Sequence, residues 1–225
     1  MRVCVYCASS DAAPAGFRVA ARRLGELLAE SGCTVVYGGG SSGSMGALAA
    51  GALARGGEVI GVLPRFMADL EWGWPGKTHA APLDAQGLRM DQGSTGWRAG
   101  PGTMAGGNGT FNMQYVEDMR ERKHRLLADS DAVVALPGGC GTLEELFEAI
   151  TLKRLGLYFK PIVLLDTDGL FAPLTAYLER LIDARFMNPE HAAMWQRVAT
   201  PEDVLPAIRA TPDWRSDARA RAVPR

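Results

Sequence analysis

The chain lacks an excess of either charge: 24 Lys and Arg against 25 Asp and Glu leave a net charge of −1 over 225 residues. That balance argues against a nucleic-acid partner, whose phosphates call for a basic surface, and against an anionic membrane surface. Long apolar runs are also missing, and nothing approaches the roughly 20 residues needed to span a bilayer. A strand-like segment begins at Val3, which leaves no space for a secretory leader, so a cytoplasmic protein is expected. Histidine is scarce: His79, His124 and His191 are the only three. Cysteine is nearly so, with four. Cys4 and Cys7 have a redox or half-zinc spacing but lie inside an apolar run. In a strand that separation sends the two thiols to opposite faces, and no further ligands stand at a suitable distance. No metal and no cofactor are expected. Cys140 alone sits in a loop with chemical character.

What is present is a chain 47% hydrophobic, enough for the core of one domain. Short apolar runs alternate with helical patterns. Strands are expected at 2–9, 34–37, 58–63, 131–136 and 161–166. Helices are expected at 14–31, from the glycine-rich turn to about 55, at 112–129, 142–155, 170–184 and 202–210. Phe17, Ala20, Ala21, Leu24, Leu27 and Leu28 give the first helix an i, i+3, i+4 stripe. Such alternation predicts an α/β fold, a doubly wound parallel sheet covered on both faces. Its ligands bind beyond the carboxyl ends of the strands.

Two glycine-rich turns fall at such ends. Pro137-Gly138-Gly139-Cys140-Gly141-Thr142 follows an apolar strand and opens a helix, the arrangement in which backbone N–H groups and the helix dipole favour a phosphate. Gly38-Gly39-Gly40-Ser41-Ser42-Gly43 also fits a dinucleotide fingerprint. That fingerprint, however, belongs after the first strand, with an acid closing the next one; here Glu58 opens the third strand. A nucleoside-monophosphate pocket explains Gly39, Gly40 and Gly43 equally well.

Three charged residues carry two readings each. Arg122 and Lys123 share a face with Met119, Leu126 and Leu127, so they either snorkel from the edge of an apolar stripe or point into the crevice to meet an anion. Glu145 completes a capping box with Thr142. It also lies between Ala149 and Leu152 on one side and an apolar face of Leu143, Leu146, Phe147 and Ile150 on the other. A poorly solvated carboxylate there calls for a partner or a chemical role.

The order G-G-G-x-x-G-x-M-G (38–46), V-I-G-V-x-P (59–64), M-x-x-R-K (119–123) and P-G-G-x-G-T-x-x-E (137–145) resembles the LONELY GUY (LOG) family. Its members are phosphoribohydrolases that release the free base from cytokinin riboside 5′-monophosphates and often from AMP. They were long labelled lysine decarboxylases, yet nothing here outlines a pyridoxal phosphate site. The resemblance covers nearly all of 2–210. It implies a single Rossmann-like domain over 1–210, after which a disordered tail, 211–225, is expected. Arg122 and Glu145 would be the catalytic pair. Gly138, Gly139, Cys140, Gly141, Thr142, Leu143 and Glu144 would surround the 5′-phosphate and ribose, with Arg122, Lys123, Thr151 and Glu71 as further substrate contacts. A homodimer is implied, through the helix at 142–155.

Two features depart from the family. Ser44 replaces an apolar residue, and 40 residues separate Thr78 from Met119 where the family has a handful. Within that insertion (79–112), the stretch 86–110 holds eight glycines, and Trp97 is its only aromatic. Such composition offsets little ordering entropy, so a mobile loop is expected; a lid and retained non-coding sequence are the other readings. A non-catalytic nucleotide sensor or small-molecule carrier on the same fold is the functional alternative.

Overall fold

Runs rich in β-branched and aliphatic residues, three to seven long and broken by helical patterns, build the sheet of this computed structural model, which describes residues 1–69, 109–215 and 217–223. In chain order the elements are β1 (Arg2–Tyr6), α1 (Ala15–Glu30), β2 (Thr34–Tyr37), α2 (Gly43–Ala54), β3 (Glu58–Pro64) and α3 (Arg65–Asp69). Then follow β4 (Thr110–Val116), α4 (Met119–Leu127), β5 (Ala132–Ala135), α5 (Cys140–Arg154), β6 (Ile162–Leu165), α6 (Ala172–Asp183), β7 (Gln196–Val198) and α7 (Pro201–Ala210). Short 3-10 turns occupy Thr167–Gly169, Pro189–Met194 and Ala218–Arg221.

The strands form one sheet in the order β4-β3-β2-β1-β5-β6-β7, and every neighbouring pair is parallel. The chain winds outward from β1 to β4, then returns to the other side of β1 with β5. That reversal makes the β1–β5 boundary the topological switch point, where a parallel sheet opens a crevice. The fold is the expected α/β, Rossmann-like sheet in a single domain.

Strand alternation divides the core in two. Val3, Val5 and Cys7 face a cluster with Leu24 and Leu28 of α1, Leu48 of α2 and Ile208 of α7. Cys4 and Tyr6 face the opposite cluster, with Leu126 of α4, Leu146 of α5 and Leu178 of α6. The two thiols therefore point apart, and each fully buried aliphatic side chain contributes about 1.5–3 kcal/mol.

Three local expectations are corrected. Residues 112–116, expected to be helical, form most of β4; the period-2 run Phe111-Asn112-Met113-Gln114-Tyr115 pairs with β3, and the helix starts only after Asp118. β7, a three-residue edge strand, carries too short a pattern to announce itself. The segment after α7 is ordered by contacts rather than loose. The Trp214 amide donates to the Phe159 carbonyl at 2.7 Å, Lys160 pairs with Asp213 at 3.0 Å, and Ala218 and Ala222 are buried. The expected mobile loop at 79–112 lies outside the described residues up to 108, as does Glu71. No helix among the described residues is long and apolar enough to cross a membrane.

Candidate active site

β5 ends at Ala135, on the switch side of β1, and delivers Pro137-Gly138-Gly139 to the start of α5. Gly139 is the N-cap, with extended backbone and no side-chain cap. A methyl on Gly138 would strike the Thr142 hydroxyl at 2.2 Å, so glycine is what lets the turn close over Thr142. Around Gly139 and Gly141 there is open space. Among the described residues no group bonds the amides of Cys140, Gly141 and Thr142, so an uncapped, positive helix end faces the crevice. Cys140 is exposed there, while Cys4, Cys7 and Cys33 are buried.

The capping-box reading of Glu145 is overturned. α5 begins at Cys140, two residues earlier than expected, so Thr142 lies inside the helix and cannot serve as its N-cap. Glu145 instead points inward from the second turn, 6% exposed, where it meets Arg122 from α4. Nη1 of Arg122 stands 3.3 Å from Oε1 of Glu145. The approach is off the hydrogen-bond axis, and buried Oε1 accepts no hydrogen bond. Arg122 is held by two carbonyls besides: Nε donates to Val62 and Nη2 to Gly38, each at 3.2 Å. The guanidinium thus ties the ends of β2 and β3 to α5. It orients Glu145, with Nε and one Nη2 hydrogen committed to backbone carbonyls.

Burial raises the Glu145 carboxyl from 4.5 to about 7. Arg122 pulls it down, and Glu144 and Glu148 push it up again. Arg122 therefore offsets the burial only in part, and near neutrality the acid divides between its two forms.

Lys123 takes neither of its expected places. Its ammonium pairs with Glu144 at 2.5 Å and Glu148 at 3.4 Å on the outward side of α4 and α5. Together with Phe147, Thr151 and Leu152 these residues line an open groove of about 390 Å³. Lys123, Glu144 and Thr151 are thus brought together along that groove, and the charges of Lys123, Glu144 and Glu148 are felt at Glu145. Leu143, one residue along the helix, is half-buried.

The first glycine-rich turn is filled from within. The Gly43 amide donates to the Asp11 carboxylate at 2.9 Å, the Met45 amide to the Ala8 carbonyl at 3.0 Å, and the Tyr37 hydroxyl to the Gly40 carbonyl at 3.1 Å. Gly39, with φ +80°, packs beside Leu63 and Met113. Gly39, Gly40 and Gly43, expected as ligand contacts, also shape the turn and its packing. Ser44, the departure from the family pattern, is 2% exposed. Sequence reasoning missed Asp11, which acts on this turn from outside its motif; no local pattern marks it.

A family profile described as "possible lysine decarboxylase" matches residues 45–208, and a second, described as the SLOG cluster4 family, matches 1–71. A probable cytokinin riboside 5′-monophosphate phosphoribohydrolase of Oryza sativa subsp. japonica is 33% identical over 204 residues, 91% of this chain and 70% of the relative. A cytokinin riboside 5′-monophosphate phosphoribohydrolase of Arabidopsis thaliana is 34% identical over 188 residues, 84% of this chain and 71% of the relative. The chain belongs to the LONELY GUY family. Membership in that family makes it an enzyme of the phosphoribohydrolase class. Among solved structures, a molybdenum cofactor binding protein from Rippkaea orientalis has a TM-score of 0.56 at 21% identity, covering 93% of this chain and 95% of its own. A molybdenum cofactor carrier protein from Chlamydomonas reinhardtii has a TM-score of 0.56 at 20% identity, covering 92% and 95%. At such identity the likeness is one of fold. Each lysine among the described residues has a partner. Lys123 is paired with Glu144, Lys153 donates to the Lys160 carbonyl, and Lys160 is paired with Asp213.

Proposed function

We propose that this LONELY GUY protein hydrolyses the N-glycosidic bond of a cytokinin riboside 5′-monophosphate, or of AMP, to the free base and ribose 5-phosphate. The observation that carries the reading is the buried Arg122–Glu145 contact behind the uncapped N-terminus of α5. The open amides of Cys140, Gly141 and Thr142 bind the 5′-phosphate, which serves as a handle and not as the reacting group. The C1′–N9 bond breaks with its electron pair passing to the base, which takes up a proton. Positive charge develops on the ribose, and Glu145 stabilises it or removes a proton from the attacking water. An acid with a value near 7 suits either proton transfer at neutral pH. Arg122 is the positioning residue.

Purified protein should release adenine from AMP, or isopentenyladenine from its riboside monophosphate, and react poorly with the riboside lacking phosphate. Glu145→Gln should lower base release about 10²–10⁴-fold. Arg122→Ala should also lose it, while Arg120→Ala, on the exposed side of α4, should keep it. Substantial turnover by the Glu145→Gln variant would sink the assignment. Tight nucleotide binding without turnover by the wild type would favour a carrier. Selectivity for the prenyl group rests on apolar contacts worth about 1–3 kcal/mol per methylene-scale change, so AMP and the cytokinin precursor should both be tried.

The reading includes a second copy of the chain. Phe147, Leu155 and Leu157 are exposed along and just beyond α5, an apolar face that lacks a cover within the described residues. Light scattering at micromolar concentration should return a dimer; a monomer would count against it.

A further inference from the structure

Gly38 opens the first glycine-rich turn without needing a glycine's backbone. Its φ lies outside the left-handed region, unlike those of Gly39 and Gly43. A methyl group there would nevertheless lie 2.3 Å from Nη2 of Arg122 and 3.0 Å from Cε of Met45. With no methyl present, Nη2 reaches the Gly38 carbonyl at 3.2 Å while Nε reaches Val62. Met45, reaching across from α2, backs the same spot, and its sulfur would stand 2.8 Å from a methyl on Gly40. A buried guanidinium needs its donors satisfied and a fixed direction. The two carbonyls satisfy Nε and one Nη2 hydrogen and fix the direction, and the bare Cα leaves room for the group.

We propose that Gly38, backed by Met45, is a positioning residue: a methyl-free seat that admits the Arg122 guanidinium and aims it at Glu145. The first glycine of the G-G-G run then acts from the far side of the crevice, on the catalytic pair and not on the phosphate. Its kinetic consequence rests on the proposed role of Arg122 and Glu145; the seat itself rests on geometry alone.

The test compares Gly38→Ala, Arg122→Ala and the double variant by thermal unfolding and by base release from AMP. Gly38→Ala alone should lower Tm by about 5 °C, because the guanidinium is forced out of a packed site. It should cut kcat about a hundredfold, the usual penalty for a misplaced catalytic group. The ascending limb of the pH–rate profile should also move to higher pH, since Arg122 no longer draws the Glu145 carboxyl down; a merely structural glycine would leave that limb in place. In the Arg122→Ala background the same substitution meets no guanidinium. There Tm should stay level or rise slightly, because alanine restricts the unfolded chain. An equal fall in Tm in both backgrounds would overturn the seat, as would full turnover by Gly38→Ala where Arg122→Ala is inactive. Should Arg122→Ala prove fully active, the catalytic reading fails, and the Tm comparison still decides the seat.

Discussion

The two glycine-rich turns, each a strand end opening a helix, differ in who occupies their helix N-terminus. At α2 the chain fills its own site: Asp11 takes the Gly43 amide and the Ala8 carbonyl takes that of Met45. At α5 the N-cap is a glycine without a side-chain cap, and open space surrounds Gly139 and Gly141. The helices behind them differ too. α2 has no ionisable residue in its twelve, whereas α5 carries Glu145 in its second turn, against Arg122. The same backbone device is thus a packing joint in one place and an open helix end in the other. A glycine-rich turn states that something approaches the backbone closely; it does not state whether that is substrate or protein.

Alanine at one glycine of each turn gives the sharpest contrast. Gly43 has φ +59°, and its methyl would stand 2.6 Å from the Ser9 carbonyl carbon and 2.8 Å from the Ala8 oxygen. Backbone atoms cannot yield cheaply, so Gly43→Ala should cost about 3 kcal/mol and lower Tm by about 10 °C. Gly139 has φ −84° and nothing within 4 Å of a methyl. Gly139→Ala should leave Tm unchanged yet raise KM for AMP about tenfold, the scale of one impaired phosphate contact. A stable Gly43→Ala, or an unaltered KM in Gly139→Ala, would erase the distinction between the turns.

A smaller effect separates the helices behind the turns by pH. Glu145 is raised from 4.5 to about 7 in the fold. Stability from holding the neutral acid is complete below the unfolded value of 4.5 and is lost as pH rises through 7. The loss is on the order of 2–3 kcal/mol. Glutamine cannot ionise. The Tm of Glu145→Gln minus that of wild type should therefore grow by about 6 °C between pH 5 and pH 8. A difference independent of pH would mean that Glu145 ionises freely.

The smallest effect reads occupancy of the open turn directly. Cys140 is the exposed thiol in that turn, and Cys4, Cys7 and Cys33 are buried. Ribose 5-phosphate at ten times its Kd should slow alkylation of Cys140 by iodoacetamide about tenfold, by mass action. Peptide mapping by mass spectrometry measures the rate at each cysteine. No protection would move the phosphate away from α5.

Much of the fold was legible because strand and helix periods are local. The apolar runs at β1, β2, β3, β5 and β6 were each located within a few residues, and the parallel sheet followed from their alternation with helices. β4 was read as helix because Val116 and Met119 happen to share helical spacing with Leu126. The better signal was Asp118-x-x-Glu121: the Asp118 carboxylate accepts from the Glu121 amide at 2.8 Å, and Glu121 in turn accepts from the Glu117 amide at 3.0 Å. The tail was misread for a different reason. Trp214 and the ion pairs of Arg215 and Arg221 with Glu190 need a surface only the folded domain provides.

By itself the sequence determined the α/β alternation, the positions of both glycine-rich turns, and the family to which Arg122 and Glu145 belong. These depend on residue type and spacing along one element, where a period of 2 or 3.6 is enough to assign a face. Tertiary structure alone decided which helix N-terminus stays open, because Asp11 and Ala8 arrive at α2 from the end of another strand. It also decided where Lys123 points, what Arg122 grips, and how far the Glu145 carboxyl is raised. Those properties come from desolvation and from contacts between groups distant in the chain, such as Gly38 and Arg122, which no local pattern encodes.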